Sequence, residues 1–70
     1  MSIVVDARGL ACPQPALLTR QALRRAQSGE VEVLVDTETA RENCLRVARR
    51  EGWQAEVIPE EGAYRLRLKR

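Results

Sequence analysis

The stretch Ile3-Val4-Val5-Asp6-Ala7-Arg8-Gly9-Leu10-Ala11-Cys12-Pro13-Gln14-Pro15 decides how the rest of the 70-residue chain is read. Three β-branched residues in a row make a strand, and Asp6-Ala7-Arg8-Gly9 has the composition of the loop that ends it. Two prolines separated by one residue would break a helix interior. Both fit a first turn, where the missing N–H groups have no intrahelical partner. The segment therefore predicts a strand, a loop and a helix start, with Cys12 at the N-cap.

Working outward, Leu18, Ala22, Leu23 and Ala26 recur with helical spacing between Pro13 and Gln27, and Arg20, Gln21 and Arg24 fall on the other side. Ser28-Gly29 stops that helix, and the β-branched and aliphatic run Val31 to Val35 predicts a second strand. Thr39 and Glu42 are spaced as a capping box. Ala40, Cys44, Val47 and Ala48 then put one apolar stripe on a second helix, which ends at Gly52. Trp53 to Ile58 and Tyr64 to Leu68 alternate as short strands, joined by the turn Pro59-Glu60-Glu61-Gly62-Ala63. The order is βαβαββ. A right-handed crossover puts the first helix on one sheet face, and the second most economically covers the same face, giving a two-layer α+β sandwich. On the bare face Arg65, Arg67 and Lys69 are expected to meet Glu32 and Glu56. Trp53 and Tyr64 are assigned to packing.

Composition narrows the function classes. Seventy residues fill one core, so residues 1–70 are expected to be a single domain. No stretch is long enough to span a bilayer, so no membrane partner is expected. The N-terminus lacks the basic and apolar regions of a secretory signal, and a cytoplasmic location is expected. Two cysteines in a reducing compartment read as free thiols rather than a structural bridge. With no histidine in the chain, a zinc site of the usual kind and a Cys–His pair are both excluded, and no cofactor is expected.

Cys12 is the residue on which chemistry turns. A thiolate at a helix start feels the positive end of the helix dipole, and the Gln14 amide is free to donate to it because Pro13 and Pro15 have none. Helix N-termini or cationic neighbours lower a thiol pKa from about 8.5 to between roughly 3.5 and 7.5, and Arg8 is the nearest candidate cation. Cysteine is a poor N-cap compared with Ser, Thr, Asp or Asn, which favours a reactive role over a structural one. Cys44, on the apolar stripe of its helix, reads as a buried core thiol too distant from Cys12 for a disulfide.

The run from Asp6 to Pro15, with Cys12-Pro13-Gln14-Pro15 as Cys-Pro-x-Pro, resembles the signature of the TusA/SirA-like sulfurtransferase family. Leu34-Val35-Asp36 and Ala40-Arg41-Glu42-Asn43 are similar to the YedF branch, associated with sulfur and selenium metabolism. The resemblance implies a four-stranded mixed sheet of order 1-2-4-3 under two helices. It also implies that Cys12 accepts a persulfide sulfur, that Pro13 and Pro15 shape its turn, and that Arg8 and Gly9 belong to the approach loop. Asp36 is a further supporting candidate. The implied partners are a cysteine desulfurase or other sulfur donor protein and a downstream acceptor protein. Transfer RNA thiolation, sulfur oxidation, molybdenum-cofactor and selenium pathways all stay open. Attack of the Cys12 thiolate on a donor persulfide, followed by attack of an acceptor thiol, would need no cofactor.

Two rival readings stand beside this one. Arg20, Arg24, Arg25, Arg41, Arg46, Arg49 and Arg50 would give a basic helical layer able to hold nucleic-acid phosphates. The small net charge of +2 and the scarcity of aromatic stacking platforms weigh against it. A redox-regulatory domain would oxidise Cys12 instead of loading it with sulfur. A thioredoxin-like site is disfavoured, because Cys-x-x-Cys is absent.

Overall fold

The computed structural model describes residues 2–70, folded as β1 (Ser2–Asp6), α1 (Gln14–Ala26), β2 (Glu30–Val35), α2 (Glu38–Arg50), β3 (Gln54–Glu60) and β4 (Ala63–Lys69). Met1, part of the expected 1–70 domain, lies outside the described residues. β1 and β2 are parallel, β4 is antiparallel to both β2 and β3, and the order is β1-β2-β4-β3. This is the four-stranded mixed sheet with two helices on one face that the resemblance implied.

Strand alternation builds the core. Val31, Val33 and Val35 of β2 and Leu66 and Leu68 of β4 are fully buried, and they pack against Ala22 and Leu23 of α1 and Cys44, Leu45 and Ala48 of α2. On the other face, register lines Val4, Glu32, Arg67 and Glu56 in one row and Asp6, Leu34, Arg65 and Ile58 in the next. Arg65 forks between Glu60 and Glu32, each at 2.8 Å, and both contacts raise its pKa, Glu60 more strongly. Arg67 stands 3.5–3.9 Å from Glu30, Glu32 and Glu56, a looser arrangement without a hydrogen bond from its Nε. Arg65 and Arg67 are thus ion-paired within their own sheet, as expected from sequence, whereas Lys69 makes no ion pair among the described residues.

Several element ends differ from those expected. α1 stops at Gln27, which itself takes a left-handed φ of 64°, before Ser28-Gly29 is reached. The cap of α2 is Thr37, with extended backbone, its hydroxyl accepting from the Ala40 amide at 3.1 Å. Thr39 lies inside the first turn, so the Thr39–Glu42 capping box does not form. The hairpin turn is Glu61-Gly62 rather than the five residues from Pro59 to Ala63. Pro59 stays in β3 because β3 is an edge strand, where a residue without an N–H is tolerated. The end of α2 follows expectation. Gly52, at φ 81°, donates to Arg49 and Trp53 donates to Ala48, which closes the helix in a Schellman arrangement that brings Trp53 into the core.

Thr19, absent from the expected apolar stripe, is fully buried between the helices. Its Oγ1 donates to the Pro15 carbonyl at 2.8 Å and lies 3.2 Å from Cys44 Sγ. The Thr19 hydroxyl therefore has two acceptors within reach, the Pro15 carbonyl and the Cys44 sulfur, and its one proton is shared between them. Burial raises the Cys44 pKa above its ordinary 9.0, and the Thr19 contact opposes that only in part. The folded thiol therefore keeps its proton at a pH where the unfolded thiol loses it. Stability conferred by this group is complete below pH 9 and is lost as pH rises through the higher folded value. Urea unfolding between pH 8 and 10.5 is expected to show a decline that is shallower in Cys44→Ala; parallel curves would contradict this.

Candidate active site around Cys12

Parallel pairing of β1 with β2 places Asp6 beside Leu34, so the loop entering α1 and the loop entering α2 leave the same end of the sheet. Two contacts tie the first loop down. The Ala7 amide donates to the Leu34 carbonyl at 2.9 Å, and the Gly9 amide donates to Asp36 Oδ2 at 2.9 Å. Gly9 has φ 77°, a left-handed conformation that explains glycine there, with open space around the missing side chain. Asp36, a supporting candidate from sequence, thus acts on the loop carrying Cys12 rather than on the sulfur. Removing its carboxylate in Asp36→Ala is expected to speed hydrogen exchange of the Gly9 amide by roughly tenfold, the worth of a charge-assisted bond. An unchanged exchange rate would mean that the loop is held by other means.

Cys12 is exposed and unpaired, as the sequence implied. Its position is one residue earlier than expected: the N-cap is Pro13 and the helix begins at Gln14, with Pro15 in the first turn. The Cys12–Pro13 peptide bond is cis. The Gln14 amide donates to the Ala11 carbonyl at 2.9 Å, so it is not the donor to sulfur. That donor is Asn43 Nδ2 from α2, 3.5 Å from Cys12 Sγ. Arg8 is not the sulfur's cation either. Its guanidinium forks onto Asp6 at 2.8 and 2.9 Å, and these bonds hold the Asp6 carboxyl down to about 2.

Cys12 opens onto a cavity of about 230 Å³ walled by Leu10, Pro13, Pro15 and Ala16 on one side and by Thr37, Thr39, Ala40 and Asn43 on the other. The walls are mostly apolar. A wider groove of about 720 Å³ between β1 and α1, lined by Ile3, Val5, Leu18, Arg25 and Ser28 among others, contains no thiol. No cluster of metal-binding side chains occurs among the described residues. Of the residues expected at the site, Cys12, Pro13 and Pro15 line one cavity, and Gly9 and Asp36, expected from the resemblance, are joined to each other in the loop leading to it. Sequence reasoning misassigned the contacts of Gln14 and Arg8, and it missed the contact of Asn43.

The fold and site thus define a βαβαββ sandwich that presents one exposed thiol at the mouth of a small cavity. The chain belongs to the sulfurtransferase TusA family, which it matches over residues 3–70. It is 38% identical over 65 residues to a candidate sulfur carrier protein of Methanocaldococcus jannaschii, covering 91% of this chain and 85% of that protein. It is also 38% identical over 42 residues to the candidate sulfur carrier YrkI of Bacillus subtilis, covering 60% of this chain and 56% of YrkI. The crystal structure of a SirA-like protein of Desulfitobacterium hafniense superposes with a TM-score of 0.88 at 31% identity, over 96% of this chain and 95% of that one. No described helix is long and apolar enough to cross a membrane.

Proposed function

We propose that this domain is a sulfur carrier that holds sulfur as a persulfide on Cys12. One observation carries the reading most directly: of the two thiols, Cys12 is exposed at a cavity mouth and Cys44 is sealed in the core. The Cys12 thiolate attacks the outer sulfur of a donor persulfide. The donor S–S bond breaks, its electron pair leaves on the donor's inner sulfur as a thiolate, and Cys12 carries the new S–S bond. An acceptor thiolate repeats the exchange on the outer sulfur, so no external oxidant or reductant is consumed. With Cys44 buried on α2, no internal thiol is positioned to discharge the persulfide as a disulfide. Asp36 and Gly9 fix the loop, Pro13 and Pro15 fix the turn, and Gln14 closes it on Ala11.

The donor in this reading is a cysteine desulfurase or another persulfide protein, the acceptor is a second thiol protein, and the compartment is the cytoplasm. The likeness of Leu34-Val35-Asp36 and Ala40-Arg41-Glu42-Asn43 to the YedF branch supports a place there. The nucleic-acid reading is weakened by the ring surfaces: Trp53 is buried and Arg41 covers Tyr64 at 5.0 Å, leaving neither free to stack a base.

The test is passage of label. With radiolabelled cysteine and a desulfurase, sulfur is expected to enter in a reductant-labile form and then leave onto added glutathione. Sulfur that enters but does not leave would make Cys12 a sensor, and sulfur that never enters would remove the carrier reading.

A further inference from the structure

The cavity beside Cys12 and the amide of Asn43 have no assigned part in the exchange just described. Asn43 sits on α2, 31 residues beyond Cys12, half-buried, with Nδ2 directed at Cys12 Sγ. Of the other polar groups nearby, the Thr39 hydroxyl lines the cavity but is not hydrogen-bonded to the sulfur. The Thr37 hydroxyl accepts from the Ala40 amide, and Arg8 is held by Asp6. The cavity of about 230 Å³ exceeds the roughly 30 Å³ share of one water in the liquid, leaving room for a sulfur atom and the carbon attached to an incoming donor.

Resting on the carrier reading, we propose that this cavity is the seat of the outer, sulfane sulfur of the Cys12 persulfide, with Asn43 as the positioning residue that donates to the anionic sulfur. The chemistry of the walls fits a soft anion. Sulfur is large and polarisable and is tolerated by apolar surroundings such as Leu10, Pro13 and Ala16. An amide N–H stabilises negative sulfur without being able to protonate it, whereas an ammonium or imidazolium in its place would be a proton source. The donor therefore orients the Cys12 sulfur before loading and favours the anionic terminal sulfur afterwards. Placing the donor on α2 while the thiol rides on the loop before α1 also makes the sulfur's orientation depend on the helix pairing that Thr19 and Cys44 seal beneath it.

The experiment compares wild type with Asn43→Ala, Asn43→Asp and Asn43→Gln, using glutathione persulfide as donor and peptide mass spectrometry to follow Cys12. Asn43→Ala is expected to lose its persulfide to dithiothreitol roughly fivefold faster, the worth of one modest hydrogen bond. Asn43→Asp, which sets a carboxylate against the sulfur, is expected to load about tenfold more slowly and to move the pH profile of iodoacetamide alkylation upward. Asn43→Gln should recover part of both rates, and all three should melt close to wild type by circular dichroism. Wild-type loading, discharge and alkylation profiles in Asn43→Ala and Asn43→Asp would overturn the seat and leave the carrier reading standing. A wild-type protein that takes no sulfur from glutathione persulfide or a desulfurase would overturn both.

Discussion

A Cys12→Ser variant will take up no sulfur from a desulfurase while folding and melting as the wild type does. Serine keeps the shape of the side chain and its capacity to accept from Asn43, so the loop clamped by Asp36 and the start of α1 should be unchanged. What is lost is the soft nucleophile. An alcohol is not ionised near neutral pH and does not displace a thiolate from a persulfide, so the exchange has no entry point. Cys12 is exposed and its only side-chain hydrogen bond among the described residues is the one from Asn43, so its replacement removes little packing. The expected change in stability is within about 0.5 kcal/mol, as for surface positions generally. A variant that still acquired sulfur at the wild-type rate would place the acceptor elsewhere, and Cys44 would be the remaining thiol to examine.

The second large effect lies in the sheet. Leu66 is fully buried at the middle of β4, paired with Val33 on one side and Val57 on the other. Leu66→Ala removes atoms from the place where β2, β3 and α2 meet, and the surrounding strands can relax only partly into the gap. A loss of about 3 kcal/mol is expected, within the range for buried leucines. A domain of this length has only about 3.5–10 kcal/mol of stability in total, so the variant should be partly unfolded at moderate urea. Urea unfolding monitored by Trp53 fluorescence reads this directly, because Trp53 is itself buried in the same core. A loss under about 1 kcal/mol would mean that the core collapses into the gap more completely than its packing indicates.

The parts of this molecule that were legible in its sequence are those governed by local periodicity. The alternation of Val31, Val33 and Val35, the stripe Ala40-Cys44-Ala48 and the stop at Gly52 each follow from residues within one or two turns of one another, and all appear in the fold. The ion-paired bare face was legible for the same reason, since strand alternation fixes which side Arg65, Glu32 and Arg67 take. Strand order 1-2-4-3 came from family resemblance, because periodicity does not say which edge the hairpin joins.

The errors cluster where a local signal has a near-equivalent neighbour. Thr37 and Thr39 are both acceptable caps, and the extended backbone at Thr37 decided between them. Pro59 signals a turn by composition, yet on an edge strand it stays within the ladder, which tightens the hairpin to Glu61-Gly62. The helix N-cap is Pro13 instead of Cys12, and the Gln14 amide donates to the Ala11 carbonyl, a backbone acceptor that side-chain chemistry does not announce. Contacts across 27 and 31 residues, Gly9 to Asp36 and Cys12 to Asn43, carried no local signal at all. They exist because a parallel βαβ unit returns the second loop to the side of the first, and only the assembled sheet displays that proximity.

The measurement that bears most directly on the account is peptide mass spectrometry of the wild-type protein after incubation with a cysteine desulfurase and cysteine, alkylated before digestion so that each thiol keeps its sulfur. One added sulfur is expected on the peptide containing Cys12, none on the peptide containing Cys44, and the addition should be lost on treatment with reductant. Sulfur confined to Cys44, or a Cys12 that alkylates readily yet never acquires sulfur from desulfurase or glutathione persulfide, would contradict the carrier reading.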